Sequence, residues 1–385
     1  MSIEQLVAEC REWFMDPEFE RLKALRAETP PRRLMGCFPV YTPEEVVLAT
    51  GFVPVHVYGA GTLVEIDHAD SRIQSFVCSV SRSTFELGLT RRLDVLDGML
   101  FPSICDVSRN ISGLWRRNFP DHVAEYLHFP ENLESAHSVP YLRHELQRLE
   151  HRLAERSGIT PTADDYRRVF SLLNGQRALV DELYALRNAA PWSVPLADGY
   201  AVVRAGGMMP RERHLPMLRT ALAGFRSSPA RSQDRVRVVV EGSFCEQPPL
   251  ELLQTFEEAG CYVVNDDLLL GQRWHADPLP LDGDPLETLA RHLLTRCVPS
   301  AVHHPAPGTR GPALVRKVRE ARAEGVVFCI AKFCEPALYD FVLLKRALDA
   351  ERIPYLMFEF EEKMSTFESV RAQLETFVES ILLFS

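Results

Sequence analysis

Residues 325–359, GVVFCIAKFCEPALYDFVLLKRALDAERIPYLMFE, constrain the fold more than any other part of the chain. They read as strand, loop, helix, strand. Residues 325–330 form a short apolar, β-branched run, which suits a strand buried on both faces of a parallel sheet. Residues 338–350 carry apolar side chains at helical spacing, with Lys345, Arg346 and Asp349 on the opposite side. Residues 353–360 are a second apolar run, opened by Pro354 as at a sheet edge. Cys334 falls between the first strand and the helix. In a parallel α/β unit that is the carboxyl end of the sheet, where ligands collect.

The same alternation runs through the rest of the chain. Residues 2–28 read as one helix with Ile3, Leu6, Val7, Cys10 and Phe14 on its apolar face. A strand over 33–38 is followed by Thr42-Pro43-Glu44-Glu45, which reads as a capping box, and by a helix stopping at Gly51. A strand over 52–58 completes that unit. Cys78 opens a helix, a strand over 96–101 runs into Cys105-Asp106, and 123–127 is a further strand. Residues 139–189 are helical and charged, with Thr162 as a cap after Gly158. A second set begins with the strand 235–241 and its loop Gly242-Ser243-Phe244-Cys245. It continues through a helix over 250–260, a strand over 261–264, a helix over 285–295 and a last helix capped by Ser365 and Glu368. The expected fold class is α/β: two doubly wound Rossmann-like (flavodoxin-like) domains with added helices and a cleft between them. The first domain covers 1–195 and the second 196–385.

Charge and cysteine usage narrow the chemistry. The net charge of −10 argues against a nucleic-acid backbone as partner. No apolar run is long enough to span a membrane, and the amphipathic N-terminus is not a signal peptide, so a cytoplasmic protein is expected. There nine cysteines do not read as a disulfide framework. Cys78, Cys105 and Cys334 share one position type, at helix starts or after buried strands facing the cleft. Thiolates from such loops suit a soft metal or an iron–sulfur cluster. Their spacing is not that of a zinc ribbon, and on spacing alone three separate core or cleft cysteines are the simpler reading. Cys37 and Cys245 also sit near strand ends and compete with the trio. Cys329 and Cys297 read as packing residues.

Other motifs carry less. Gly59-Ala60-Gly61 lacks the third glycine of a dinucleotide fingerprint, since Val64 stands there. Asn265-Asp266-Asp267 reads either as a proton-handling group near a substrate or as a cap and turn. His303-His304-Pro305 reads as a solvated loop. Lys332 and Glu335 flank Cys334. No G-x-x-x-x-G-K-[ST] sequence is present.

Five segments together resemble the family of 2-hydroxyacyl-CoA dehydratases and ATP-dependent benzoyl-CoA reductases. They are TPEEVVLATGFVPV (42–55), the Cys78 helix start, Cys105-Asp106, EGSFCEQPPLELLQTFEEAGCYVVNDDLLLGQRW (241–274) and KFCEPALYDFVLLKRALDAERIPYLMFE (332–359). The chain is most similar to the smaller cluster-bearing subunits of the reductases. The resemblance implies one [4Fe–4S] cluster in the interdomain cleft, held by Cys78, Cys105 and Cys334, which are then both the metal and the cofactor ligands; it leaves the catalytic residues unknown. It further implies an oxidoreductase subunit of anaerobic aromatic degradation that accepts low-potential electrons from a separate iron–sulfur ATPase. The electrons would reduce the ring of benzoyl-CoA to a cyclic dienoyl-CoA, with a homologous cluster-bearing subunit as partner. Dehydration of a 2-hydroxyacyl-CoA, or an electron-relay role with no substrate site, are the alternatives.

Overall fold

The computed structural model describes residues 2–303, 308–361, 364 and 366–384. Among them, eight strands form two four-stranded parallel sheets. The first holds β1 (Arg33–Cys37), β2 (Phe52–His56), β3 (Gly98–Pro102) and β4 (Val123–Leu127), in the order β2-β1-β3-β4. The second holds β5 (Val236–Glu241), β6 (Cys261–Asp266), β7 (Gly325–Ala331) and β8 (Tyr355–Phe360), in the order β6-β5-β7-β8. The two sheets therefore repeat one topology, as the alternating pattern predicts. In each, the chain order reverses between the two central strands, β1 and β3 or β5 and β7. That reversal opens a crevice at the carboxyl ends of the strands.

Burial explains the strand sequences. Every residue of β2, β3 and β7 is buried, so continuous apolar runs replace alternation. β8 is one of the two edge strands of the second sheet. Pro354 precedes it and uses only its carbonyl, which accepts from the Val326 amide at 3.0 Å, so the missing N–H costs nothing. Helix Ala163–Ala189 opens with a capping box between Thr162 and Asp165. It packs against helices Glu44–Ala49 and Arg211–Arg226.

Two local expectations fail, each for a tertiary reason. Residues 2–28 are two helices, Ile3–Glu12 and Glu20–Arg26. Pro17 and the left-handed Phe19 (φ 54°) lie at the break, and Trp13, Phe14 and Phe19 turn into the core there. The capping box at Thr42 does not form: Pro43 is the N-cap of helix Glu44–Ala49 and no side chain caps it. Glu44 and Glu45 are instead buried. Glu44 meets His56 at 2.5 Å and Arg211 at 2.9 Å, and Glu45 pairs with Arg177. A buried carboxylate without a cation costs far more than an unmade cap, so the cations decide where these side chains go. Burial opposes ionisation of Glu44, but Arg211 and His56 outweigh it and hold the carboxyl down at about 2. The second capping box, Ser365 with Glu368, falls on Ser365, which lies outside the described residues.

His214 reports on this packing. It is fully buried, with Nδ1 2.9 Å from the Gln176 amide nitrogen and Nε2 2.8 Å from the Val202 carbonyl oxygen. That pairing suits the neutral ring, with Nδ1 accepting and Nε2–H donating. Burial pushes its pKa down to about 4. A histidine depressed in the folded state takes up its proton more readily when unfolded. Stability is therefore full above the unfolded pKa near 6.5 and falls as pH drops toward 4. The loss should be on the order of 3 kcal/mol, at about 1.4 kcal/mol per pKa unit. Thermal melting between pH 7 and 4 should show it, and H214Q should flatten the pH slope while lowering the melting temperature at pH 7. An unflattened slope would acquit this histidine.

Candidate functional site

The nine cysteines divide cleanly by exposure. Cys10, Cys37, Cys261, Cys297 and Cys329 are buried, whereas Cys78, Cys105, Cys245 and Cys334 are half-buried. Those four all line one cavity of about 550 Å³. Its walls come from the ends of both sheets: Phe38 and Pro39 after β1, Ile104 and Cys105 after β3, Phe244 and Cys245 after β5, and Lys332 to Leu338 after β7. The two crevices of the two sheets thus open on the same space. The three cysteines singled out in the sequence are brought together, and a fourth joins them.

Each of the three sits at a helix N-terminus. Cys78 is the N-cap of helix Ser79–Leu89, and its thiol donates to Ser81 Oγ at 3.2 Å. Cys105 is the N-cap of helix Asp106–Asn118, where its sulfur accepts from the Ser108 amide at 3.4 Å. Cys334 is the N-cap of helix Glu335–Glu351, turned inward by the left-handed Phe333 (φ 65°). Free amides and the helix dipole favour a thiolate at such a position. Burial works the other way and dominates, pushing Cys334 up to about 12 and Cys78 and Cys105 also above the ordinary range. A bound metal inverts that balance, because a coordinating thiol gives up its proton.

Cys245 reaches the cavity by a different route. It lies in the loop between β5 and helix Leu250–Glu258, and this loop is pinned on every side. Asp267 accepts from the amides of Gly242 at 2.7 Å and Ser243 at 3.1 Å. Ser243 Oγ donates to the Cys329 carbonyl at 2.6 Å. Gln247 donates to the Ser243 carbonyl at 3.2 Å and accepts from the Leu269 amide at 3.3 Å. The Glu246 carboxylate crosses to the other sheet's elements, accepting from Ser79 Oγ and from the Val80 amide at 3.1 Å. One residue of the Cys245 loop therefore satisfies the first turn of the helix that Cys78 caps.

The donor set fits an iron–sulfur cluster better than a single ion. Among the described residues, no three His, Cys, Asp or Glu side chains converge closely enough to hold one metal ion. A cubane distributes its ligands over separate irons and needs thiolates from several segments around one space; here four segments bring a cysteine to the same cavity. The lining is otherwise largely apolar, with Phe38, Val77, Val80, Phe244 and Leu338.

Other sequence candidates fall elsewhere. Asp266 is buried against Arg187, Tyr184 and Arg273, and Asp267 pins the Cys245 loop, so both aspartates of the triplet hold structure. His303 is buried, with Nε2 3.0 Å from the Leu293 carbonyl oxygen, and its ring packs on Tyr41, against the expectation of a solvated loop. His304 and Pro305 lie outside the described residues. Lys332 pairs with Glu361 at the cavity's edge, and Glu335 lines it. Glu246 went unremarked in the sequence. Its signal was its place beside a strand-end cysteine, but its partners are 166 and 167 residues away.

A model of the family described as 2-hydroxyglutaryl-CoA dehydratase, D-component, matches residues 39–381. The chain is 37% identical to one of the subunits of the benzoyl-CoA reductase of Thauera aromatica, over 100% of both chains. It is 27% identical to the beta subunit of lactoyl-CoA dehydratase from Anaerotignum propionicum, over 98% of this chain and 99% of that one. It is also 27% identical to the beta subunit of (R)-2-hydroxyglutaryl-CoA dehydratase from Acidaminococcus fermentans, over 91% and 93%.

The Cys245 loop offers a stability test. Gly242 has φ +105°, and a Cβ there would stand 2.9 Å from Ile330 Cγ1 and 3.1 Å from the Cys329 carbonyl oxygen. Gly242→Ala should destabilise the protein by about 2 kcal/mol, the cost of a strained backbone at an over-determined position. Denaturant titration measures it, and a loss below about 0.5 kcal/mol would mean that the loop relaxes freely.

Proposed function

The chain belongs to the family of the 2-hydroxyglutaryl-CoA dehydratase D-component, and from that premise we propose that it is the iron–sulfur subunit of a benzoyl-CoA reductase-like complex. Cys78, Cys105 and Cys334 hold a [4Fe–4S] cluster. The observation that carries this reading is that three cysteines from distant parts of the chain, each at a helix start, open on one cavity between two sheets. The substrate class follows the 37% identity with a benzoyl-CoA reductase polypeptide, against 27% for the two dehydratase subunits.

When bound, the cluster supplies single electrons at low potential. The chain's own residues shape that supply. Ser81 Oγ and the Ser108 amide are hydrogen-bond partners beside the sulfurs, and such contacts tune a cluster's potential. Phe38, Phe244 and Leu338 give the cavity apolar walls. Two electrons and two protons added to the ring of benzoyl-CoA give the cyclic dienoyl-CoA. The electrons come from a partner iron–sulfur ATPase; this chain has no G-x-x-x-x-G-K-[ST] sequence. The catalytic unit is completed by a homologous cluster-bearing partner.

The test is anoxic purification of the complex with iron and acid-labile sulfide analysis. Cys334→Ser should lower this chain's cluster iron, while Cys329→Ser, buried in β7, should keep it. Iron unaltered by Cys334→Ser would remove Cys334 from the ligand set. Turnover of benzoyl-CoA, with no turnover of a 2-hydroxyacyl-CoA, is the expected activity; the opposite result would move the chain to the dehydratase branch.

A further inference from the structure

We propose that Cys245 is a fourth ligand in this cavity, bonding through its sulfur to the cluster iron that Cys78, Cys105 and Cys334 leave free; the proposal rests on the cluster reading above. An iron–sulfur bond forms, and the thiol proton leaves to solvent through the open mouth of the cavity.

Three observations converge. Cys245 is one of only four half-buried cysteines among the described residues, and all four line this cavity. A cysteine serving only as a small core hydrophobe would resemble Cys329 or Cys261, at 0% exposure. Next, topology supplies the ligands in pairs. Cys78 and Cys105 come from the first half, while Cys245 and Cys334 follow β5 and β7, the strands that flank the crevice of the second sheet. Last, the loop is over-determined for a residue that merely fills space. Asp267 fixes its start, Gln247 closes it, and Glu246 ties it to the helix beginning at Cys78. Ligand loops of cluster sites need such outer support to hold sulfur in place before metal arrives.

The consequence is functional. With four protein thiolates, each corner iron has its own ligand and none is free for a substrate oxygen. The cluster of this chain then passes electrons outward without binding the thioester, and contact between iron and substrate belongs to another subunit or to a state in which Cys245 has detached.

The experiment uses the whole complex purified without oxygen. A cubane iron that lacks a thiolate is lost first on mild oxidation, leaving a [3Fe–4S] cluster with a distinct electron paramagnetic resonance signal. The difference between wild type and the Cys105→Ala/Cys334→Ala double variant, left with two of the four thiolates, isolates this chain's cluster. After ferricyanide treatment the wild type should show no [3Fe–4S] signal from this site, Cys245→Ala should show it strongly, and Cys329→Ala should match the wild type. Equal signals from wild type and Cys245→Ala would overturn the proposal. Mössbauer spectra, taken as the difference between wild type and the same double variant, give a second measurement: one iron of this chain's cluster distinct from the other three would also overturn it. Absence of iron from the wild-type chain is a separate outcome, which sinks the cluster reading itself.

Discussion

One buried carboxylate governs the geometry of the site. Glu246 belongs to the second sheet's loop, yet its oxygens accept from Ser79 and Val80 at the start of a helix packed on the first. A helix N-terminus has unsatisfied amides and a partial positive charge, and an anion placed there is stabilised twice over. Because this anion comes from across the cavity, the same contact that caps the helix also fixes the distance between the Cys78 and Cys245 segments. Four cysteines on segments from two sheets stay on one cavity only if those segments do not drift. Asp267 does the corresponding work from behind, holding the Gly242 and Ser243 amides.

Buried charge recurs through the fold in the same role. Glu44 with Arg211 and His56, Glu45 with Arg177, Asp266 with Arg187, and Arg310 with Asp340 join segments far apart in the chain. Such pairs add little net stability over apolar packing, but removing one partner leaves a buried charge alone. They therefore act as registration points, specifying which helix meets which sheet. The apolar clusters supply bulk stability and tolerate small slips; the ion pairs do not. Behind the cysteine cavity, Lys317 and Arg310 meet Glu241 at the end of β5, so even the strand that carries the Cys245 loop is tethered electrostatically.

The sequence made the architecture legible because its signals are local. Apolar runs marked all eight described strands to within a few residues, and the helix over 285–295 has the expected bounds. The placement of Cys78, Cys105 and Cys334 was legible for a related reason, since each directly adjoins a helix start; their grouping as ligands came only with the family resemblance. What escaped was decided by distant partners. Thr42 and Glu45 have the spacing of a capping box, yet Arg177, 132 residues away, claims the glutamate. His303 sits in a polar-looking stretch but finds Tyr41 and the Leu293 carbonyl. Cys245 occupied the right kind of loop. Nothing within its neighbourhood in sequence separated it from Cys37, which ends β1 and is wholly buried.

Burial of the thiols connects stability to loading. In a largely apolar cavity all four cysteines are held protonated, Cys245 well above its ordinary range by burial and by the three neighbouring sulfurs. The protein alone therefore keeps neutral thiols, which repel one another little and leave the cleft quiet. A metal bound here would require those thiols to give up their protons in exchange, and its binding free energy would be shared by loops of both sheets. Glu246 and Asp267 lower the conformational cost of the exchange by ordering the loops in advance. A cavity lined by four neutral thiols from the ends of two sheets can stay empty without the repulsion that four thiolates would bring.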